Sequence, residues 1–109
     1  MKNYRVQWTA AARKDLAEII HYIATENTEQ PLHQLEKIEL KARSLNPYPQ
    51  RGRTVPELKA IGVSNYRELV IRPWRLLYRI DGRYVYVIAL LDSRRNLEDI
   101  LLERLINAE

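Results

Sequence analysis

There is no cysteine in this chain, which excludes disulfides and thiolate metal sites and suits a reducing compartment such as the cytoplasm. Glycine occurs only three times, too rarely for a glycine-rich phosphate loop, a dinucleotide fingerprint or a nucleophile elbow. Histidine occurs twice, and His21 and His33 both fall in segments of helical period. Ordinary helix-surface positions are expected for both, and no metal or cofactor is expected. No apolar run approaches a membrane span, and the opening MKNYRVQWTAAARKD has no apolar leader core. The expectation is a soluble, non-secreted protein with no membrane partner.

What is present fits a single domain over residues 1–109, with 46% hydrophobic residues and length enough for one core. The charge is uneven. Residues 46–95 carry ten basic residues, nine of them arginine, against four acidic ones, whereas residues 96–109 are acidic. A basic middle points to an anionic partner, nucleic acid or an acidic protein segment, and arginine suits bidentate contact with phosphate or carboxylate. Arginines also solubilise an exposed sheet and deter edge pairing.

The periodicity places a strand over Asn3–Trp8, with Tyr4, Val6 and Trp8 on one side. Thr9 is a candidate N-cap for a helix whose apolar stripe is Ala12, Leu16, Ile19, Ile20 and Ile23. Thr28 is a candidate cap for a second helix, with Glu29 and Pro31 in its first turn and Leu35, Ile38, Ala42 and Leu45 as its stripe. The two helices form an antiparallel hairpin that ends before Pro47. A short β-like piece at Thr54–Val55 is interrupted by Pro56. Asn96, with Asp99 three residues on, opens a last helix carrying Leu97, Ile100, Leu101 and Leu105.

Tyr66 to Arg95 reads as three consecutive strands in which apolar and aromatic residues alternate with arginine. Asp81-Gly82 between two β-rich runs predicts a type I′ hairpin with Ile80 opposite Arg83 and Tyr78 opposite Val85. One face is then apolar, with Leu76, Tyr78, Val85, Val87 and Ala89, and needs a cover. The other carries Arg75, Arg79, Tyr84, Tyr86, Leu77 and Ile88, a cation-and-aromatic surface suited to phosphate, acidic peptide or nucleobase. Charge reversal at Arg75 or Arg79 should therefore spare the fold, and Val87→Asp should not. The fold class is α+β: an antiparallel sheet with an N-terminal strand, a two-helix hairpin on one face and a C-terminal helix.

The pieces at the joints are Tyr4-Arg5-Val6 with Thr9 and Ala12; Asp15-Leu16 with Ile19 and Tyr22-Ile23; Leu45 and Pro47; and Gly52-Arg53 with Glu57-Leu58. Then come Arg67-Glu68-Leu69, Trp74 to Arg79 (WRLLYR) and Leu91 to Arg95 (LDSRR). In this order the chain resembles the RelE/ParE family of toxins from bacterial type II toxin-antitoxin systems. The resemblance implies a toxin in a hetero-oligomer with a cognate antitoxin, whose acidic C-terminal segment wraps it. It also implies one of two targets: DNA gyrase in the ParE-like branch, or mRNA cut on the ribosome in the RelE-like branch. An inactive antitoxin-binding module is a third reading.

Candidate binding residues are Arg53, Arg72, Trp74, Arg75, Arg79, Tyr84, Tyr86, Arg94 and Arg95. A metal-independent ribonuclease would draw on Arg67, Arg75, Arg79, Arg94 and Lys59, but also needs a proton carrier. Only Lys59, Glu57, Glu68, Asp92 and the tyrosines are at hand in the basic middle. Arg67 beside Glu68 could instead be a structural ion pair, and Trp74 could be core or partner anchor. Arg94 and Arg95 precede a helix N-terminus, an unfavourable place for cations unless a carboxylate such as Asp92 compensates. Asp92-Ser93 stands where many family members have His-Gly. The long helices and missing proton carrier favour the ParE-like branch.

Overall fold

Apolar spacing of three and four in the first half and of two in the second divides the chain into a helical layer and a sheet. A computed structural model describes residues 3–26 and 30–106. The elements are β1 (Arg5–Trp8), α1 (Ala10–Glu26), α2 (Pro31–Arg43), a 3-10 turn (Pro49–Arg51), β2 (Arg53–Thr54), α3 (Pro56–Lys59), β3 (Tyr66–Ile71), β4 (Trp74–Asp81), β5 (Tyr84–Asp92) and α4 (Leu97–Ile106). The proposed cap Thr28, the first-turn residue Glu29 and the side chain of Leu105 lie outside the described residues. No helix among those described is long and apolar enough to cross a membrane.

Thr9 caps α1 as its position suggests, its Oγ1 accepting from Ala12 N at 3.2 Å, and Asn96 Oδ1 accepts from Asp99 N at 3.3 Å to cap α4. The hairpin of α1 and α2 covers one face of the sheet, burying Ala12, Ile23, Ile38, Ala42 and Leu45 against Leu76, Tyr78, Val85, Val87 and Leu90. Strand order is β1-β5-β4-β3-β2. β2 to β5 pair antiparallel, but β1 runs parallel to β5, with Val6 beside Val85 and Trp8 beside Val87. The sheet is therefore mixed, closed at that edge by the first strand.

The β4–β5 hairpin differs from the expected register. Asp81 pairs with Tyr84 and Ile80 with Val85, so Gly82 and Arg83 form the loop. Gly82 has a φ of 61° at the first central position, where both primed turns demand a positive φ. From the turn as far as Tyr78 the expected pairings slide by two residues, and from Leu77 on by three. A two-residue slide preserves which face each side chain takes, so Leu76, Tyr78, Val85 and Val87 remain on the core face. The pairing then skips from Tyr78–Val87 to Leu77–Ala89. This bulge at Ile88 moves Ala89 to the opposite face, correcting its assignment.

That opposite face is not open along its length. Leu77, Ala89 and Leu91 are buried there beneath Val55, Leu58, Leu97 and Leu101 in a second core. Its cover comes from α4 and from α3, a short helix not anticipated from sequence although Pro56 at its first position and Glu57 in its first turn are N-terminal signals. Beyond the end of β1 the outer edge of β5 is completed by side chains. Asp15 Oδ2 accepts from Leu90 N at 3.0 Å, Arg104 donates to the Ile88 carbonyl at 2.9 Å, and the two side chains pair at 2.7 Å.

Candidate functional site

The two covers of the second face sort its arginines. Arg75 projects under α3 and is 8% exposed. Its guanidinium donates to both oxygens of Glu57 at 2.7 and 2.8 Å, and its Nε donates to Glu68 Oε1 at 2.6 Å. Glu68 is fully buried and takes Arg53 Nε on its other oxygen at 2.5 Å. Arg75 is thus the hub of a structural network, and its placement on an open binding surface is corrected: α3 brings a carboxylate over it. Hydrogen bonding to Arg75 holds the Glu57 carboxyl below its usual range and, with Glu57 as the largest cause, raises Arg75 further.

Arg67 does not pair with Glu68, because adjacent strand residues face opposite ways. Its guanidinium donates to the carbonyls of Gly52 at 2.7 Å and Gln50 at 3.3 Å. The same loop is held by Tyr78, whose hydroxyl donates to the Pro49 carbonyl at 2.6 Å and accepts from Gly52 N at 2.9 Å. Burial pushes that phenol up. Gly52 is required by close approach: a Cβ would fall on the Tyr78 hydroxyl and lie 2.5 Å from the Glu68 carbonyl oxygen. Arg67 and Tyr78 are therefore committed to the fold.

Beyond the second core the same face is uncovered. Tyr84 and Tyr86 stack with ring centroids 5.7 Å apart, and the Arg79 guanidinium lies 4.7 Å from the Tyr86 centroid. Asp81 reaches Arg79 only at 3.4 Å, an exposed contact of little energetic weight. This cation-and-aromatic patch matches the expected surface in type, at half its expected extent. Lys59 is exposed on α3, and His21 and His33 are exposed on α1 and α2, away from the patch, as their spacing suggests.

The remaining candidates gather elsewhere. Arg72, Trp74, Arg94 and Arg95 line a groove of about 560 Å³ on the hairpin side, together with Glu18 and Tyr22 of α1 and Lys37 of α2. Trp74 packs in the core, as one of its two expected roles has it, and also lines the groove. Asp92 compensates Arg94: its oxygens accept from Arg94 N at 2.9 Å, Nε at 3.0 Å and Nη2 at 2.7 Å. Nothing in their own segments marks Glu18 and Lys37, and Tyr22, although among the residues of the resemblance, is given no site role by its spacing; only the fold brings the three to the turn before β4.

The Arg94 side chain, followed by its backbone N–H, depresses the Asp92 carboxyl from 3.8 to about 2. A depressed folded-state value means that the stabilisation is present above the ordinary value and is lost as pH falls through the folded one. A carboxyl ¹³C titration should place Asp92 at about 2, and Arg94→Ala should return it toward 3.8. A wild-type midpoint at the ordinary value would show that the pair does not form in solution.

A mixed sheet, backed by a helical hairpin and closed by a C-terminal helix, recurs in solved structures of toxin-antitoxin systems. It matches a chain of the chromosomal ParDE system of Pseudomonas aeruginosa with TM-score 0.65 and 22% identity, covering 82% of this chain and 95% of that one. A chain of the RelBE2 complex of Mycobacterium tuberculosis matches with TM-score 0.62 and 24% identity, over 84% and 93%. In sequence, residues 6–97 match the family described as the ParE toxin of type II toxin-antitoxin system, parDE. The chain belongs to this family. Toxin ParE3 of Caulobacter vibrioides is 34% identical over 64 residues, 59% of this chain, and the match spans 60% of that relative's length.

Proposed function

We propose that this chain arrests growth by binding and inhibiting DNA gyrase, and that an antitoxin with an acidic C-terminal segment holds it inactive. The observation that carries the choice of target is the commitment of the ionisable groups on the second sheet face. Glu57 and Glu68 are locked by Arg75 and Arg53, and the Glu57 carboxyl, depressed by Arg75, is a weak base near neutral pH. The uncovered patch of Arg79, Tyr84 and Tyr86 offers charge and flat apolar area; among the described residues no histidine lies beside it, and its neighbouring carboxylate is the exposed Asp81, engaged with Arg79 at 3.4 Å. Such a surface suits a protein partner, where tyrosine and arginine anchors dominate binding.

The test is supercoiling of relaxed plasmid by gyrase with increasing purified chain. Activity should fall as the chain approaches and exceeds the enzyme concentration. Full supercoiling in excess chain overturns the reading. If translated transcripts also acquire codon-positioned cuts, the ribosome-dependent mRNA endonuclease replaces it, and harmless expression without antitoxin indicates a binding module alone.

A further inference from the structure

Strand pairing extends the uncovered patch across four strands. Arg5 of β1 stands beside Tyr84 of β5, and Asp81 of β4 stands on the other side of that tyrosine. Arg79 lies between Tyr86 of β5 and Tyr66 of β3. Directly paired residues share a face of the sheet, so two rows result, Arg5–Tyr84–Asp81 and Tyr86–Arg79–Tyr66. The first row is exposed and the second half-buried, with Tyr66 packed on the margin of the second core.

The charge on this surface is not settled within the fold. Arg5, and Arg83 in the turn, make no ion pair among the described residues. The Arg5 N–H donates to the Arg83 carbonyl at 2.7 Å, which sets the two residues at one corner. Arg79 has only its long contact with Asp81. Three arginines against one aspartate leave the surface net positive. It is also preset: Tyr84 and Tyr86 stack with 15° between their planes and Arg79 lies over Tyr86, so less side-chain freedom is lost on binding.

We propose that this end of the sheet docks on a flat, acidic surface of a folded protein. Carboxylates of that surface meet Arg5, Arg79 and Arg83, and its apolar side chains rest on Tyr84 and Tyr66. A nucleic-acid strand fits less well, because successive bases need free ring faces. Here the two tyrosines cover each other and Arg79 lies over Tyr86. An extended peptide is held by a groove or a free sheet edge, whereas β4 and β5 are interior strands. The excess of cations selects an acidic partner, since complementary charge sets encounter rate and register. The identification of that protein with gyrase rests on the reading proposed above; the recognition chemistry does not.

Growth arrest on expression without antitoxin tests the surface whatever the target. Arg5→Glu combined with Arg79→Glu should require about tenfold more expressed chain for arrest, with the circular dichroism of the folded chain retained. The pair Arg5→Gln and Arg79→Gln should fall between wild type and the Glu pair, and Tyr84→Ala should weaken arrest with no change of charge. Lys14→Glu, exposed on α1 and in no ion pair among the described residues, should arrest as wild type does. Arrest unchanged in the Glu pair and in Tyr84→Ala overturns the proposal, as does a wild type that arrests nothing. Equal losses in the Gln and Glu pairs overturn the acidic partner. A single-stranded oligonucleotide that binds wild type and not the Glu pair would mark a nucleic-acid platform instead. Weakened arrest in these variants, with full supercoiling in excess wild type, keeps the surface and removes gyrase as its client.

Discussion

Val87→Asp should lose most of its folded structure, whereas Arg79→Glu should unfold within about 1 M urea of the wild-type midpoint. Val87 is 0% exposed and lies between the helical hairpin and the sheet, beside Trp8 in β1 and Tyr78 in β4. An aspartate there has no cation to meet, because the arginines of β4 point to the other face. Its charge must be buried unpaired or neutralised by a raised pKa, and the valine packing is lost as well. Together these exceed about 4 kcal/mol, the range in which single substitutions become exceptional. For a chain of this size, towards the lower end of the range of about 5–15 kcal/mol, that removes most of the margin by which the folded state is favoured. Arg79 lies on the uncovered part of the second face, and reversing its charge costs a cation–π contact of about 0.5–1 kcal/mol. Circular dichroism with urea titration distinguishes the two, and equal loss of structure would mean that the faces are reversed.

The contrast between Arg75 and Arg79 shows what a sequence of this kind can disclose. Both sit on β4 with the same parity and similar neighbours, and alternation correctly gives them one face. Alternation cannot say which part of that face is roofed. The roof over Arg75 comes from Pro56–Lys59 and Leu97–Ile106, so the fate of an arginine in β4 is decided by a four-residue helix and a C-terminal one. The core face was legible because a slide of two residues leaves parity intact, and the helices because their stripes repeat every three or four. Ala89 was misplaced because a bulge shifts parity locally and leaves no compositional trace. The groove was the least legible part. Its walls come from α1, α2, the β3–β4 turn and the loop after β5, and its acids are settled by partners as remote as Arg104 is from Asp15.

Glu68→Ala is expected to cost about 3–5 kcal/mol, the usual penalty for removing one member of a buried charge cluster. Glu68 alone bridges Arg53 to Arg75, with no exposure of its side chain. Its loss leaves Arg75 buried with only Glu57 and releases Arg53 to solvent. Glu57→Ala should cost less, because Glu57 is about one-third exposed and its removal leaves Glu68 on Arg75. The two losses should also be non-additive, since each carboxylate partly replaces the other on one guanidinium. Acid provides an independent check. The Glu57 carboxyl is depressed from 4.5 by Arg75, so its contribution is present above that value and lost as pH falls through the folded-state one. Urea unfolding of wild type should therefore weaken below about pH 4.5 more steeply than that of Glu57→Gln. Parallel curves, or a Glu68→Ala variant as stable as wild type, would mean that the network does not hold α3 over Arg75. The second face would then be open along β4, and Arg75 would return to the set of residues available to a partner.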